Sequence, residues 1–573
     1  MLEKIKMNWK IKENKKIDIP FDLNLPEVLV RLLAGRGIEG SEAVREFLEP
    51  DYEKGVHDPF LFSDMGKVVE RIAQARDNKE RVVIFGDYDA DGITSSVILK
   101  ETLETLGIAV AVYIPDKRSE GYGMNLGAIE KLAKEETKLI ITVDCGITGI
   151  EEVERARELG MDVIITDHHH VPEELPKALA VINPRTGNSG YPFLELAGVG
   201  VAFKVAQAIF EKLLPQKKEQ VKWFLDLVAI GTVADCVPLV GENRIFVKYG
   251  LLVLSKTKRN GLLQLFSVAR LNIDENNVPS TRNIGFHIAP RINAAGRINH
   301  ANLAYDLLVE GDIAKARVFA LELEENNSHR QKITETATNE VKVLAENSFK
   351  DKKLIFAVGE NFPIGVVGLV AGKIAQQFNK PTAVLQKGET ESKGSFRSIP
   401  QVNIIEAIER CKELLLKFGG HSQAAGISIE NGKLEAFYEK LNAEIEKELE
   451  GKDISPEILV DAEISPKDVD FALAESLDRL KPFGENNPEP VFAMRNLLVE
   501  DTRIIGNGEK HLKLSLRAQD GTPKIFESIG FYIAKEFAHI KKGDMVDVAF
   551  NLQKDEWNGN QRIQLLLVDV KVK

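Results

Sequence analysis

Long apolar runs are missing from this chain, cysteine is scarce, and positive charge is in the minority. No stretch of the 573 residues is apolar for long enough to cross a bilayer as a helix. The opening residues, Met1-Leu2-Glu3-Lys4-Ile5-Lys6, lack the apolar centre of a secretory signal. Three widely spaced cysteines (Cys145, Cys236, Cys411) make neither a disulfide framework nor a zinc knuckle. These features point to a reducing cytoplasm and to no membrane partner. Lys and Arg number 75 against 87 Asp and Glu, a net charge of −12. That balance argues weakly against nucleic acid, whose binders usually carry a basic footprint. A groove can still be basic on an acidic protein, and bound metal adds charge that the count omits. No solenoid repeat and no low-complexity segment occurs.

The length exceeds what one hydrophobic core accommodates, so three or four domains are expected. Residues 1–76 read as a small helical cap, with two amphipathic helices in Pro26–Glu49 broken at Gly35-Arg36-Gly37. Residues 77–310 open with strands at 81–86, 109–114, 138–143 and 162–166, alternating with helices at 92–107, 125–136 and 149–160. This is the pattern of an α/β, doubly wound parallel sheet. Helices follow at 198–214 and 219–233. Residues 311–346 read as one long polar connecting helix, or as two shorter ones broken near Asn326-Asn327. A second α/β domain is expected at 347–452, with a strand at 353–358, a helix at 365–378 and a strand near 381–385. In 453–573, β runs at Val491–Val499, Thr502–Ile505, Leu512–Leu516, Lys524–Ile529, Met545–Leu552 and Arg562–Val570, with a helix at 530–538, fit a C-terminal OB-type barrel.

Four acidic motifs carry the chemistry. Asp87-Tyr88-Asp89-Ala90-Asp91-Gly92, Asp144-Cys145-Gly146 and Asp167-His168-His169-His170 each follow a short strand-like run. Ligands of open parallel sheets bind beyond the carboxyl ends of the strands, so these groups converge there. Gathered carboxylates repel one another without a cation, and a pair of divalent ions is the simplest reconciliation. In the first motif Gly92 opens a helix that Thr94, Ser95 and Ser96 are placed to cap. A calcium loop starting at Asp87 would need an acid where Ile98 stands. Asp144, one strand along, suits a bridge between two cations. Of His168 and His169, one suits a metal and the other a substrate phosphate, with Asp167 orienting the pair. Asp235 ends the helix Trp223–Ala234, an unfavourable place for an acid unless a cation is near. Mostly oxygen ligands with one nitrogen suit Mn²⁺ or Mg²⁺ better than zinc.

The set DYDADG, VDCG, DHH and ADCVP resembles the DHH phosphoesterase superfamily, and Lys417–Gly426, with Gly419-Gly420-His421, resembles its companion DHHA1 domain. Arg36-Gly37-Ile38, His57-Asp58-Pro59, Pro290–Arg297 and Pro482–Pro488 narrow the likeness to the family's bacterial single-strand-specific 5′→3′ exonucleases, over nearly the full chain. Asn486 stands where that family is expected to have Gly; Asn tolerates left-handed backbone.

The resemblance implies that Asp89, Asp91, Asp144, His168 and Asp235 ligate two divalent metal ions. Asp87 is a ligand or lies behind one, Asp144 bridges, and His169 meets the scissile phosphate. It implies that Ser395 and Arg397 recognise a 5′-terminal phosphate, the combination of hydroxyl and guanidinium being a good clamp. Arg118, on a loop before Ser119–Gly123, is placed to reach the site, and Arg291 and Arg297 are candidates for DNA backbone contacts. Gly420 and His421 belong to a Gly-Gly-His turn expected to face the active site. Phe483, Phe492, Lys510, Lys513 and Arg517 are candidates for strand contacts on the barrel. The implied activity is metal-dependent exonuclease action on single-stranded DNA with a free 5′ end, in repair and recombination. Implied partners are a single-strand-binding protein and a helicase, with a monomer sufficient. The alternative is a DHH phosphoesterase acting on short oligonucleotides or cyclic dinucleotides, which needs neither cap nor barrel.

Overall fold

The computed structural model describes residues 7–13, 25–116, 119–557 and 560–573. It divides into two compact units: one built on Pro290–Pro456, the other on Met7–Pro115, Glu120–Ala289 and Glu457–Lys573. No helix among the described residues is long and apolar enough to cross a membrane.

The second unit holds a five-stranded parallel sheet. Its spatial order is Val110–Tyr113, Val82–Gly86, Leu139–Val143, Asp162–Thr166, Ala180–Ile182. In chain order that is 2-1-3-4-5, so the winding reverses between Val82–Gly86 and Leu139–Val143, and ligands bind at such a reversal. Both strands are buried along their whole length, as expected of a sheet covered on both faces. One face packs Val83, Phe85, Ile140, Val163 and Ile165 on Ala128, Ile129, Leu132, Val153 and Ala156 from the helices Leu126–Lys134 and Ile150–Glu158. The helix Ala90–Thr105 packs instead against Gly198–Leu213 and Leu225–Ala234.

The last strand, Ala180–Ile182, has too few residues to show a period and is missing from the sequence-based expectation. The helix expected from Trp223 starts at Leu225, after the 3₁₀ stretch Pro215–Phe224. The hydroxyls of Thr94, Ser95 and Ser96 do not cap their helix. They turn back onto the carbonyls of Ala90, Asp91 and Gly92, and Asp89 is the cap.

The C-terminal segment of this unit forms a closed barrel. Phe492–Ile505 pairs with both His511–Arg517 and Met545–Trp557, and Ile525–Gly530 joins Asn560–Val572 to complete the circle. The expected runs Val491–Val499 and Thr502–Ile505 are one strand, shifted in register between Val499 and Asp501. The helix expected over 530–538 is only Ala534–Phe537. Phe492 is fully buried in the barrel core and offers no face for stacking.

The expected N-terminal cap is helical over Glu27–Gly35 and Ser41–Leu48, and it also holds a strand, Asn8–Ile11. That strand pairs in parallel with Glu457–Val460. Leu29, Leu32, Leu33, Val44, Phe47 and Leu48 share one core with Leu473, Leu477, Leu497, Leu514 and Val546 of the C-terminal segment. Arg244 staples the junction. Its buried guanidinium donates to the carbonyls of Phe47, Leu480, Lys481, Pro482 and Arg479. Asn486 lies at φ 56°, so the expected tolerance of Asn for a left-handed turn is used.

The first unit carries the long helix Ile313–Ser348, which is continuous. Asn326 and Asn327 are buried in it: Asn326 accepts from Asn299 at 3.0 Å and Asn327 from Arg330 at 2.7 Å. The sheet beside it is mixed, in the order Lys417–His421, Ala424–Glu430, Glu391–Arg397, Thr382–Lys387, Ile355–Gly359. The helix Val367–Phe378 packs with the long helix on one side, and Ile404–Glu409 with Leu434–Leu449 on the other.

Candidate active site

The acidic motifs meet at the reversal of the parallel sheet. Asp89 caps its helix, accepting from the amides of Asp91 (2.9 Å) and Gly92 (3.1 Å). Asp91 turns inward and accepts from the amides of Gly198 (2.7 Å) and Val199 (2.8 Å) at the start of Gly198–Leu213. Asp144 follows the third strand at φ 59°, a left-handed conformation uncommon for a residue with a side chain and worth a functional reading. His168 Nε2 stands 3.2 Å from Asp144 Oδ1, 3.5 Å from Asp235 Oδ2 and 3.9 Å from Asp91 Oδ2.

Two glycines that sequence reasoning passed over make this crowding possible. A Cβ on Gly198 would lie 2.6 Å from Asp144 Oδ1, and one on Gly231 would lie 2.8 Å from Asp91 Oδ1. Gly92, the one noticed, is needed for close approach more than for a turn, since its Cβ would stand 2.7 Å from Asp87 O.

Asp167 is an orienting group. Its Oδ1 accepts from the His168 amide (2.7 Å), the His169 amide (3.1 Å) and His169 Nδ1 (2.8 Å), and its Oδ2 accepts from the Ile147 amide (2.9 Å). The short strand holds the same loop: the Asp167 amide donates to Ile182 O, and Asn183 Nδ2 donates to His169 O at 3.0 Å. The Tyr122 hydroxyl donates to Asp144 O at 3.1 Å and lies 3.2 Å from His169 Nδ1. Asn183 and Tyr122 carry no motif of their own, which is why the sequence alone did not mark them.

The electrostatics are those of a site short of positive charge. Burial first, then Asp89, lifts Asp91 to about 7. Burial, Asp91 and Asp89 lift Asp235 to about 9. Burial and the same neighbours hold Asp144 well above the carboxylate range. Burial and His169 press His168 down to about 3, leaving a neutral imidazole. Burial opposes the charged form of His169, but the Asp167 hydrogen bond and charge outweigh it and raise it to about 9. Asp167 stays below its ordinary value because His169 and backbone amides offset its burial.

Asp144 Oδ1 and His168 Nε2 are buried and make no hydrogen bond with any described residue. Three donor sets have atoms within 4.8 Å of one another: Asp87, Asp89 and Asp144; Asp91, His168 and Asp235; Asp144, His168 and His169. Asp144 belongs to two of them. Orphaned, mutually repelling donors of this kind fit divalent cations.

Arg118 falls outside the described residues. Arg291, Arg297, Ser395 and Arg397 all belong to the first unit. Arg397 Nη1 donates to Ser395 Oγ at 2.8 Å and to Phe396 O at 2.7 Å. Both side chains lie against the first turn of Val367–Phe378, where a Cβ on Gly368 would stand 3.2 Å from each. Arg291 donates to Glu324 at 2.5 Å, and Arg297 to Gly365 O at 3.2 Å. Burial, then Arg297 and Arg291, lowers Arg330, and burial with Arg297 lowers Arg397. Arg330 therefore belongs with these cations, although nothing in its sequence context marked it. Gly420 and His421 are not in a turn. They sit on the exposed edge strand Lys417–His421, where a Cβ on Gly420 (φ 150°) would stand 2.3 Å from Ala424 O.

A 2-1-3-4-5 parallel sheet bearing carboxylates and a histidine pair at its reversal defines a DHH phosphoesterase. Residues 81–232 match the family model of the DHH family, N-terminal domain, 351–447 that of the DHHA1 domain, and 460–569 that of the RecJ OB domain. The chain belongs to the RecJ family. It is 36% identical over 572 residues to the single-stranded-DNA-specific exonuclease RecJ of Bacillus subtilis, covering 99% of this chain and 71% of the relative. It is 32% identical to RecJ of Escherichia coli, covering 97% of this chain and 98% of the relative. The structure of RecJ from Thermus thermophilus in complex with Mn²⁺ superposes with a TM-score of 0.82 at 28% identity, covering 99% of this chain and 79% of that one.

Proposed function

We propose that this protein is a single-stranded-DNA-specific 5′→3′ exonuclease that hydrolyses phosphodiester bonds with two divalent ions, Mn²⁺ or Mg²⁺. The observation that carries the reading is the orphaned pair Asp144 Oδ1 and His168 Nε2 within a cluster of raised carboxylates. RecJ from Thermus thermophilus is known in complex with Mn²⁺ and with Mg²⁺. Asp87, Asp89 and Asp144 would hold one ion and Asp91, His168 and Asp235 the other, and Asp144, which also groups with His168 and His169, would serve both. When bound, the ions activate water and neutralise charge on the scissile phosphate.

The chain's own groups do the rest. Asp167 holds and orients His169, whose imidazole would face the scissile phosphate and stabilise its growing charge. The Tyr122 hydroxyl, 3.2 Å from His169 Nδ1, helps to fix that ring. Ser395 and Arg397, on the strand Glu391–Arg397 and set against the first turn of the helix Val367–Phe378, whose dipole favours anions, bind the 5′-terminal phosphate; Arg291, Arg297 and Arg330 add positive charge, and Gly420, His421 and Arg118 contact the strand of DNA. The barrel gives the strand a second hold. In repair and recombination a helicase would supply such strands and a single-strand-binding protein would cover them; one chain suffices for this chemistry. Three unpaired thiols suit a reducing cytoplasm.

The test is to incubate purified protein with 5′-phosphorylated single-stranded DNA labelled at its 3′ end, with Mn²⁺ or EDTA. A metal-dependent ladder of shortening labelled products is expected. Turnover of dinucleotides without loss from long strands would overturn the reading and favour a small-substrate phosphoesterase.

A further inference from the structure

One group of exposed side chains on the barrel is built without contributing to its packing. Phe531 and Tyr532 follow the strand Ile525–Gly530 and are 47% and 77% exposed. His511 opens the strand paired with it, His511–Arg517, and stands edge-on to both rings, at 5.1 Å and 77° from Phe531 and 4.9 Å and 88° from Tyr532. Tyr532 sits at φ 62°, a conformation that costs an aromatic residue energy. The Tyr532 amide, donating to His511 Nδ1 at 3.1 Å, holds it there. Gly506, at φ 87°, lets the preceding loop close on His511: a Cβ there would stand 2.5 Å from the imidazole. Strain is thus accepted to display two rings in water, where they bury little.

Their place indicates what they meet. On OB barrels, oligonucleotides bind over the second and third strands and the loop between the first two. Here these are His511–Arg517, Ile525–Gly530 and residues 506–510. Lys510 and Lys535, both exposed, flank the group in sequence, and the Ala534 amide donates to Lys510 O at 3.2 Å, joining the two loops. Flat rings flanked by ammonium groups are complementary to bases and phosphates of a single strand. We infer that Phe531 and Tyr532, braced by His511, form a base-stacking platform that grips single-stranded DNA without regard to sequence. The inference rests on the exonuclease reading and deepens it.

The test measures binding of a 5′-phosphorylated single strand to the full chain in EDTA, across a salt series, for wild type and the double variant Phe531→Ala, Tyr532→Ala. About tenfold weaker binding is expected, with the slope of log K against log salt unchanged, because stacking releases no counterions. Loss of a phosphate contact would instead flatten the slope by about 0.7 and would overturn stacking as the mode. Conservative Tyr532→Trp in the Phe531→Ala background should recover affinity, and a thermal melt guards against misfolding. An abasic scan of the strand should show one or two positions that weaken wild type and leave the double variant unmoved. Equal affinity of wild type and variant, with strands still degraded, would overturn this inference alone and free the rings for a protein partner. Failure of wild type to bind or degrade any strand would overturn the exonuclease reading and this inference with it.

Discussion

The two α/β sheets of this molecule gather opposite charges. The parallel sheet brings Asp87, Asp89, Asp91, Asp144 and Asp235 together at its reversal, with burial raising Asp91, Asp144 and Asp235. In the mixed sheet and its long helix, burial first and then the charge of Arg297 lower Arg330 and Arg397. A surplus of carboxylate calls for cations, and a surplus of guanidinium calls for an anion, so each sheet displays the charge of what it lacks. The proposed exonuclease reading uses both: metals for the reacting phosphate and arginines for a phosphate that is only held.

The two clusters fail differently. The largest effect is expected on the carboxylate side. Asp144→Asn removes the residue shared by two donor sets and should lower strand hydrolysis by at least about 10³-fold, several kcal/mol of transition-state stabilisation. The same variant should melt higher than wild type in EDTA, since it removes a buried carboxyl whose ionisation burial and its acidic neighbours disfavour. An unchanged rate would show that Asp144 is not where the metals sit. On the arginine side the loss is selective. Arg397→Met should weaken use of 5′-phosphorylated strands by about 10- to 100-fold, as removal of charge-assisted bonds does, and 5′-hydroxyl strands much less. Equal losses on both substrates would remove the phosphate from this cluster.

Tyr122→Phe deletes one hydroxyl between His169 and Asp144 O, and a fall in kcat of about fivefold is expected, near 1 kcal/mol. The smallest effect is on stability. In the folded, metal-free protein Asp235 keeps its proton to about pH 9 and His169 likewise. In the unfolded chain they lose theirs near 4 and 6.5. Between pH 7 and 9 the unfolded chain therefore binds fewer protons, and stability falls as pH rises. Thermal melts in EDTA should drop by a few degrees over this window, and Mn²⁺ should flatten the slope. A rise with pH would contradict the assigned directions.

The catalytic sheet was legible because parallel strands buried on both faces read as short apolar runs, and each run ended in an acid or imidazole. Val82–Gly86, Leu139–Val143 and Asp162–Thr166 lie within one residue of where the pattern puts them. What stayed hidden depends on contacts between distant segments. Ala180–Ile182 is too short to show a period, yet it fixes the histidine loop. Gly198 and Gly231 look like ordinary helix glycines until the carboxylates that need their space are placed. His421 was read as a turn residue because Gly-Gly is turn chemistry, and the antiparallel pairing that makes it an edge strand is set by Ala424–Glu430. The run Thr502–Ile505 looked separate because the register shift at Val499 and Asp501 breaks the alternation.

The core shared by the N-terminal helices and the barrel has a consequence for biosynthesis. Leu29, Leu33 and Phe47 leave the ribosome early, but Leu473, Leu497 and Val546 are made more than 400 residues later. At about 5–20 residues per second, their apolar faces wait from roughly 20 seconds to well over a minute for cover. The nascent chain should thus be a client of holding chaperones until its last segment emerges.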